Sequence, residues 1–152
     1  MKETKSIKYR LMSLADYEAV YRLWLSCSGM GLNDIDDSKT GIARYLERNP
    51  STCFVALEGD KIVGAILAGH DGRRGYIGHT AVLSAYRHQG IGTQLVSQAL
   101  EALKQEGITK VNLVVFARNQ VGNQFWQNLG FTSREDLVYR NLVLVNMVRI
   151  DT

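Results

Sequence analysis

Arg87-His88-Gln89-Gly90-Ile91-Gly92 is the stretch whose reading decides the fold. It lies between an apolar run, Tyr76 to Leu83, and a segment in which Ile91, Leu95, Val96, Ala99, Leu100 and Leu103 recur at helical spacing. A strand, a turn with two closely spaced glycines and a helix start together form a device for holding phosphate. Backbone N–H groups converge at such a turn, and the helix N-terminus adds roughly half a positive charge. Glycine lets the backbone approach a ligand where a side chain would block it. The alternative is an ordinary tight turn into a helix.

Spacing narrows the ligand. A mononucleotide P-loop separates its glycines further and follows them with Lys and Ser or Thr, which are absent here. A dinucleotide fingerprint asks for a third glycine where this chain has Leu95. The run instead resembles the Arg/Gln-x-x-Gly-x-Gly/Ala loop of the GNAT (Gcn5-related) N-acetyltransferase superfamily. A second segment, Asn119-Gln-Val-Gly-Asn-Gln-Phe-Trp-Gln-Asn-Leu-Gly-Phe131, is similar to that family's Asn-x-x-Ala-x-x-Leu-Tyr-x-x-x-Gly-Phe pattern. The resemblance covers residues 75–132; towards the N-terminus it rests on element order alone.

The resemblance implies acetyl-CoA as cofactor, its pantetheine arm inserted between two diverging parallel strands at 76–83 and 111–117. Ala81, Val82 and Leu83 would line that arm, with the Val82 N–H as donor to the thioester oxygen. Such a backbone donor contributes on the order of 3 kcal/mol to a developing oxyanion. The N–H groups of His88, Gln89, Gly90, Ile91, Gly92 and Thr93 would hold the pyrophosphate. Arg87 would contact phosphate or bond nearby carbonyls. Asn119 would reach the cofactor or simply cap its helix. Trp126 stands where the family has the Tyr taken as the acid for the leaving thiolate, and an indole N–H cannot give up its proton near neutral pH. Trp126 then walls the thioester site. Tyr139 or Tyr76 could replace the phenol, water could protonate the sulfur, or a thiolate with conjugate-acid pKa of about 8.5 could leave unaided.

Some family members carry a basic Glu on the fifth strand; Val114 occupies that position here. His79 is the ionisable side chain best placed in sequence for deprotonating the amine. Simple alternation puts it opposite Val82's face, and a bulge would change that; its structural alternative is a buried, hydrogen-bonded histidine. Asp34, Asp36 and Asp37 could attract a cationic acceptor, or be no more than a solvated loop. The expected activity is acetyl transfer to a primary amine of a small molecule or peptide, by direct attack in a ternary complex. A catalytically inactive acyl-CoA-binding sensor or scaffold is the rival reading.

Composition agrees with one soluble domain over 1–152: hydrophobic residues make up 45% and charged residues 22%, with a single proline. The net charge of +3 suits an anionic cofactor and falls short of a nucleic-acid binder's basic stripe. Cys27 and Cys53 show no metal or redox spacing, so free thiols in a reducing cytoplasm are expected. No window is long and apolar enough for a membrane span.

Strands are expected at 7–12, 52–57, 61–68, 76–83, 111–117 and 137–147. Helices are expected from Asp16, from Ser38 to about Arg48, from Ile91 to near Gly107, and from Asn119. That order predicts an α/β fold of α+β type. Its mixed, mostly antiparallel sheet has a splayed parallel pair and is flanked by about four helices, which is also the architecture the resemblance implies. The apolar stretch Leu142 to Val148 would need cover at a sheet edge, which a homodimer would supply.

Overall fold

The computed structural model describes residues 6–152. Its main sheet contains β1 (Ile7–Leu11), β3 (Phe54–Glu58), β4 (Lys61–His70), β5 (Gly75–Val82) and β6 (Val111–Asn112), in that spatial order. All neighbours are antiparallel except β5 and β6, which are parallel. A separate two-stranded ribbon pairs β2 (Gly31–Asn33) with β7 (Arg149–Asp151). The helices are α1 (Tyr17–Ser26), α2 (Lys39–Arg48), α3 (Ile91–Gln105) and α4 (Gln120–Asn128).

The sheet is buried on both faces. Central β4 is inaccessible from Val63 to Gly69, as a two-sided strand requires. On one face Val20, Leu23 and Trp24 of α1 and Ile42 of α2 pack with Val55, Ala65 and Ala81. On the other, the α3 stripe Ile91, Leu95, Val96, Ala99 and Leu103 packs with Val63, Ile66 and Ile77. Each large side chain buried this way contributes roughly 1.5–3 kcal/mol. The helix boundaries follow local chemistry: Ser38 Oγ accepts from Gly41 N at 3.1 Å, and Gly107 adopts φ +81° just past α3.

Three expectations are corrected. No strand is expected between the helix from Asp16 and the one from Ser38, yet β2 forms there, because residues 149–151 supply a pairing partner with no local signal. The strand expected over 111–117 pairs only at Val111 and Asn112. Beyond them the chain is drawn towards residues 29–31: Phe116 Cζ stands 3.1 Å, and Asn119 Nδ2 2.5 Å, from where Cβ atoms on Gly31 and Gly29 would lie. Residues 137–147 form no strand. β6 ends too early to offer them an edge, and the chain is instead tied to the ribbon: Asp34 N donates to Val148 O, and Val148 N to Asp34 Oδ1. Leu142 and Leu144 are left 83% and 88% exposed, so apolar patterning without a hydrogen-bonding edge does not make a strand here.

The turn into α1 is fixed by an ion pair. Arg10 donates to both oxygens of buried Asp16 at 2.8 and 2.9 Å, and Ser13 N donates to Asp16 Oδ2 at 2.9 Å. The Arg10 bond, aided by Ser13, holds the Asp16 carboxyl below the usual carboxylate range. A depressed folded-state pKa gives stability that is present above the unfolded value and lost as pH falls through the folded one. Asp16→Asn should therefore cost about 2 kcal/mol near neutrality. Urea titrations should show the gap between variant and parent narrowing below the ordinary carboxylate range; a gap independent of pH would refute the assignment.

Candidate functional site

At its start β5 is bonded on both edges: Gly75 pairs with His70 and Val111, and Tyr76 with Gly69 and Asn112. At its end only the β4 edge is paired with a strand. Leu83 N donates to Val63 O at 2.9 Å, so by strand alternation the N–H and C=O of Val82 face away from β4. They face the opening left where the chain after Asn112 departs.

The turn at the mouth of this opening fits a diphosphate. His88 (φ 63°) and Gly90 (φ 79°) both take the left-handed conformation, which curls the backbone into a cradle ahead of α3. Among the described residues, the backbone N–H groups from His88 to Thr93 have no acceptor within the chain. A Cβ on Gly90 would meet nothing within 4 Å, so the space above the turn is open. Gly92 is needed for a different reason, because a Cβ there would stand 3.2 Å from Phe125 Cζ, where α4 packs onto the start of α3. The Ile91 side chain points into the core, leaving only its backbone for the cradle.

Arg87 turns inward. Its Nε donates to Val82 O at 3.3 Å and its terminal nitrogen lies 3.7 Å from Cys27 Sγ, while Cys27 itself reaches Val82 O at 3.6 Å. The end of β5 is thereby fastened to the end of α1. Two cavities adjoin this junction. One of about 480 Å³ is lined by Arg22, Ser26, Lys61 and Leu83 among others; one of about 240 Å³ is lined by Ser28, Gly29, Asn119 and their neighbours.

His79 sits in a bulge. The β4–β5 register steps from Ala65↔Ala81 to Leu67↔Gly78, so Ile66 faces both His79 and Thr80. Ile77 packs towards α3, and unbroken alternation would put His79 on that face too. The extra residue, with His79 at φ 48°, turns the imidazole instead onto the edge of Trp24, 4.8 Å between ring centroids. Its Nε2 lies 2.6 Å from Asp37 Oδ1. Among the described residues Trp24 Nε1 and Thr80 Oγ1, the ring neighbour and chain neighbour of His79, have no hydrogen-bond partner.

The acidic trio divides. Asp34 accepts from Val148 N, Asp36 accepts from Asn33 Nδ2 at 3.0 Å, and Asp37 alone is buried and joined to His79. Asn119 Oδ1 accepts from Gly122 N at 2.9 Å, so it caps α4. Trp126 lies edge-on between Phe125 and Phe131. Tyr76 is at the far end of β5, about 20 Å from Val82 at ~3.3 Å per residue. Burial, then the neighbouring Tyr139, raise its pKa. Tyr139 is 71% exposed beside it. The structure thus gathers Val82, Arg87 and the Gly90 turn, with His79 three positions away, and leaves both tyrosines outside the group. The sequence reading missed the roles of Trp24 and Cys27; their spacing on one face of α1 was the available signal. Burial pushes the other thiol, Cys53, up to about 12, which makes it inert.

Comparison with known proteins agrees with this geometry. An acetyltransferase of Sodalis glossinidius is 29% identical over 132 residues, covering 87% of this chain and 92% of its own. N-alpha-acetyltransferase 30 of Xenopus laevis is 37% identical over 113 residues; these are 70% of this chain but only 41% of that protein. The crystal structure of the PaiA N-acetyltransferase from Thermoplasma acidophilum in complex with coenzyme A superimposes with a TM-score of 0.70 at 20% identity, covering 82% of this chain and 88% of that one. The model of the acetyltransferase (GNAT) family matches residues 17–131, and the chain belongs to that family.

Proposed function

We propose that this chain is an acetyl-CoA-dependent N-acetyltransferase acting on a primary amine of a small molecule or peptide, by direct attack in a ternary complex. The observation that carries the reading is the one-sided strand pairing of β5 at Val82, with the Gly90 turn at its mouth. Bound acetyl-CoA supplies an acyl group activated by a good leaving thiolate. The backbone N–H groups of 88–93 hold its pyrophosphate, and Ala81, Val82 and Leu83 flank its pantetheine. The Val82 N–H is the donor to the thioester oxygen as charge develops there.

His79 takes the proton that the acceptor ammonium must lose before attack; the N–C bond then forms as the C–S bond breaks, and the nitrogen's second proton is released to solvent. The ammonium proton reaches His79 through water, since His79 and Val82 are three residues apart on β5, about 10 Å at ~3.3 Å per residue. The thiolate leaves with the C–S electron pair and is protonated by solvent. A paired, partly exposed histidine on the same strand as Val82 is what supports the transferase over the non-catalytic sensor. The reading also includes a cytoplasmic location and a homodimer covering Leu142 and Leu144. A 17 kDa species by light scattering at micromolar concentration would remove the dimer.

Acetyl-CoA at a hundredfold excess over its Kd should stabilise the protein by about 2.7 kcal/mol, seen as a rise in Tm that ATP and NAD do not reproduce. Gly90→Ala and Gly90→Asp should each lose about 1–2 kcal/mol, because both place a side chain at positive φ. Only the Asp variant should lose the shift with acetyl-CoA. Equal shifts in both would refute the phosphate cradle. Over an amine panel, His79→Ala should flatten the limb of the kcat/KM profile that rises with pH. An unchanged profile would return His79 to a structural role.

A further inference from the structure

The geometry points to Asp37 as a positioning residue for that reaction: it holds His79 in the tautomer that carries its proton on Nε2 and leaves the Nδ1 lone pair free. This rests on the proposed role of His79 as base. Asp37 lies 42 residues before His79 in the chain and belongs to no element of the main sheet; it immediately precedes Ser38, the cap of α2.

The carboxylate has no freedom to serve otherwise. Its Oδ2 accepts from Asn33 N at 2.8 Å, and its backbone carbonyl accepts from Tyr17 OH at 2.6 Å. Asn33 in turn receives Ile35 N and Asp36 N on Oδ1, at 3.0 and 2.7 Å, which fixes the turn that carries Asp37. Oδ1 is left for His79 at 2.6 Å, with the Asp37 side chain 5% exposed. A carboxylate only accepts, so the imidazole nitrogen facing it must be the donor. Trp24 packs against the ring in a T-shaped contact, 4.8 Å between centroids. When Nδ1 takes a proton, the resulting positive charge has Asp37 as its partner in a largely water-free contact.

Asn33 N makes the test specific. In Asp37→Asn the single amide oxygen can serve either Asn33 N or His79. Keeping the turn intact places the NH2 against Nε2, which must then accept, and the proton moves to Nδ1. The chain has three histidines, so long-range 1H–15N spectra of histidine-labelled protein are tractable, with His79→Gln assigning the signal. Neutral His79 in the parent should show the Nε2–H pattern. In Asp37→Asn the pattern should reverse, with kcat down about a hundredfold or more and KM for acetyl-CoA unchanged. In the His79→Gln background, Asp37→Asn should change kcat no further.

An Nδ1–H pattern in the parent would overturn the proposal, as would an Asn variant that keeps full kcat or a further loss in the His79→Gln background. The parent spectrum decides even if the Asn variant fails to fold, which its Tm response to acetyl-CoA would reveal. A parent that shows the Nε2–H pattern yet acetylates no amine would sink the transferase reading and leave the hydrogen-bonded pair standing.

Discussion

Along its first residues β5 is paired with a strand on both edges; by Val82 no strand pairs on the second edge, because the neighbouring chain has been drawn off towards Gly29 and Gly31. There Arg87 and Cys27 take the Val82 carbonyl, while its N–H is left. Gly29, in the loop after α1, and Gly31, at the start of β2, allow that departure, since a Cβ on the first would collide with Asn119 and one on the second would press on Phe116. An unpaired backbone edge inside a sheet is costly unless something occupies it. The Val82 N–H is therefore left for an extended ligand that brings an acceptor of its own. The left-handed turn at Gly90 stands at the end of the same strand, so the two features address one ligand.

The bulge at His79 is a second departure from regular pairing on the same strand. A non-glycine residue at positive φ costs about 1–2 kcal/mol. A charge-assisted hydrogen bond contributes about 1.5–3 kcal/mol, and an edge-on aromatic contact about 0.5–1.5 kcal/mol. The Asp37 bond and the Trp24 contact together are enough to hold the bulge in place. Removing either should leave a strained residue with less reason to stay where it is.

Much of this frame was legible in the sequence, for identifiable reasons. Helical periodicity marks α3, and Ser38, Asn119 and Gly107 mark helix ends, because caps and stripes are local chemistry. Apolar runs bounded by turn residues find β3, β4 and β5 for the same reason. Local signals fail where pairing is decided at a distance. The ribbon of β2 with β7 joins residues 31–33 to 149–151, and nothing in either segment names the other. The run 137–147 has the composition of a strand, but strand formation needs an edge, and β6 stops at Asn112. Asp37 reads as one of three similar acids in a loop; only the fold distinguishes the one that meets His79.

Arg87 and Trp126 show what a motif does and does not carry. The glycine spacing around Arg87 dictates a backbone path, and that path forms. The arginine side chain is free to choose its partners and bonds the Val82 carbonyl, fastening the strand end rather than reaching into the cradle. Trp126 likewise holds its place in the helix, packed between Phe125 and Phe131, while offering no proton near neutral pH. On the proposed reading this shifts the burden of proton transfer. A thiolate whose conjugate acid has pKa of about 8.5 leaves without an acid, but an amine of pKa near 10 cannot attack while protonated. The base side of the reaction is the side that needs help, and on the proposed reading His79 with Asp37 supplies it.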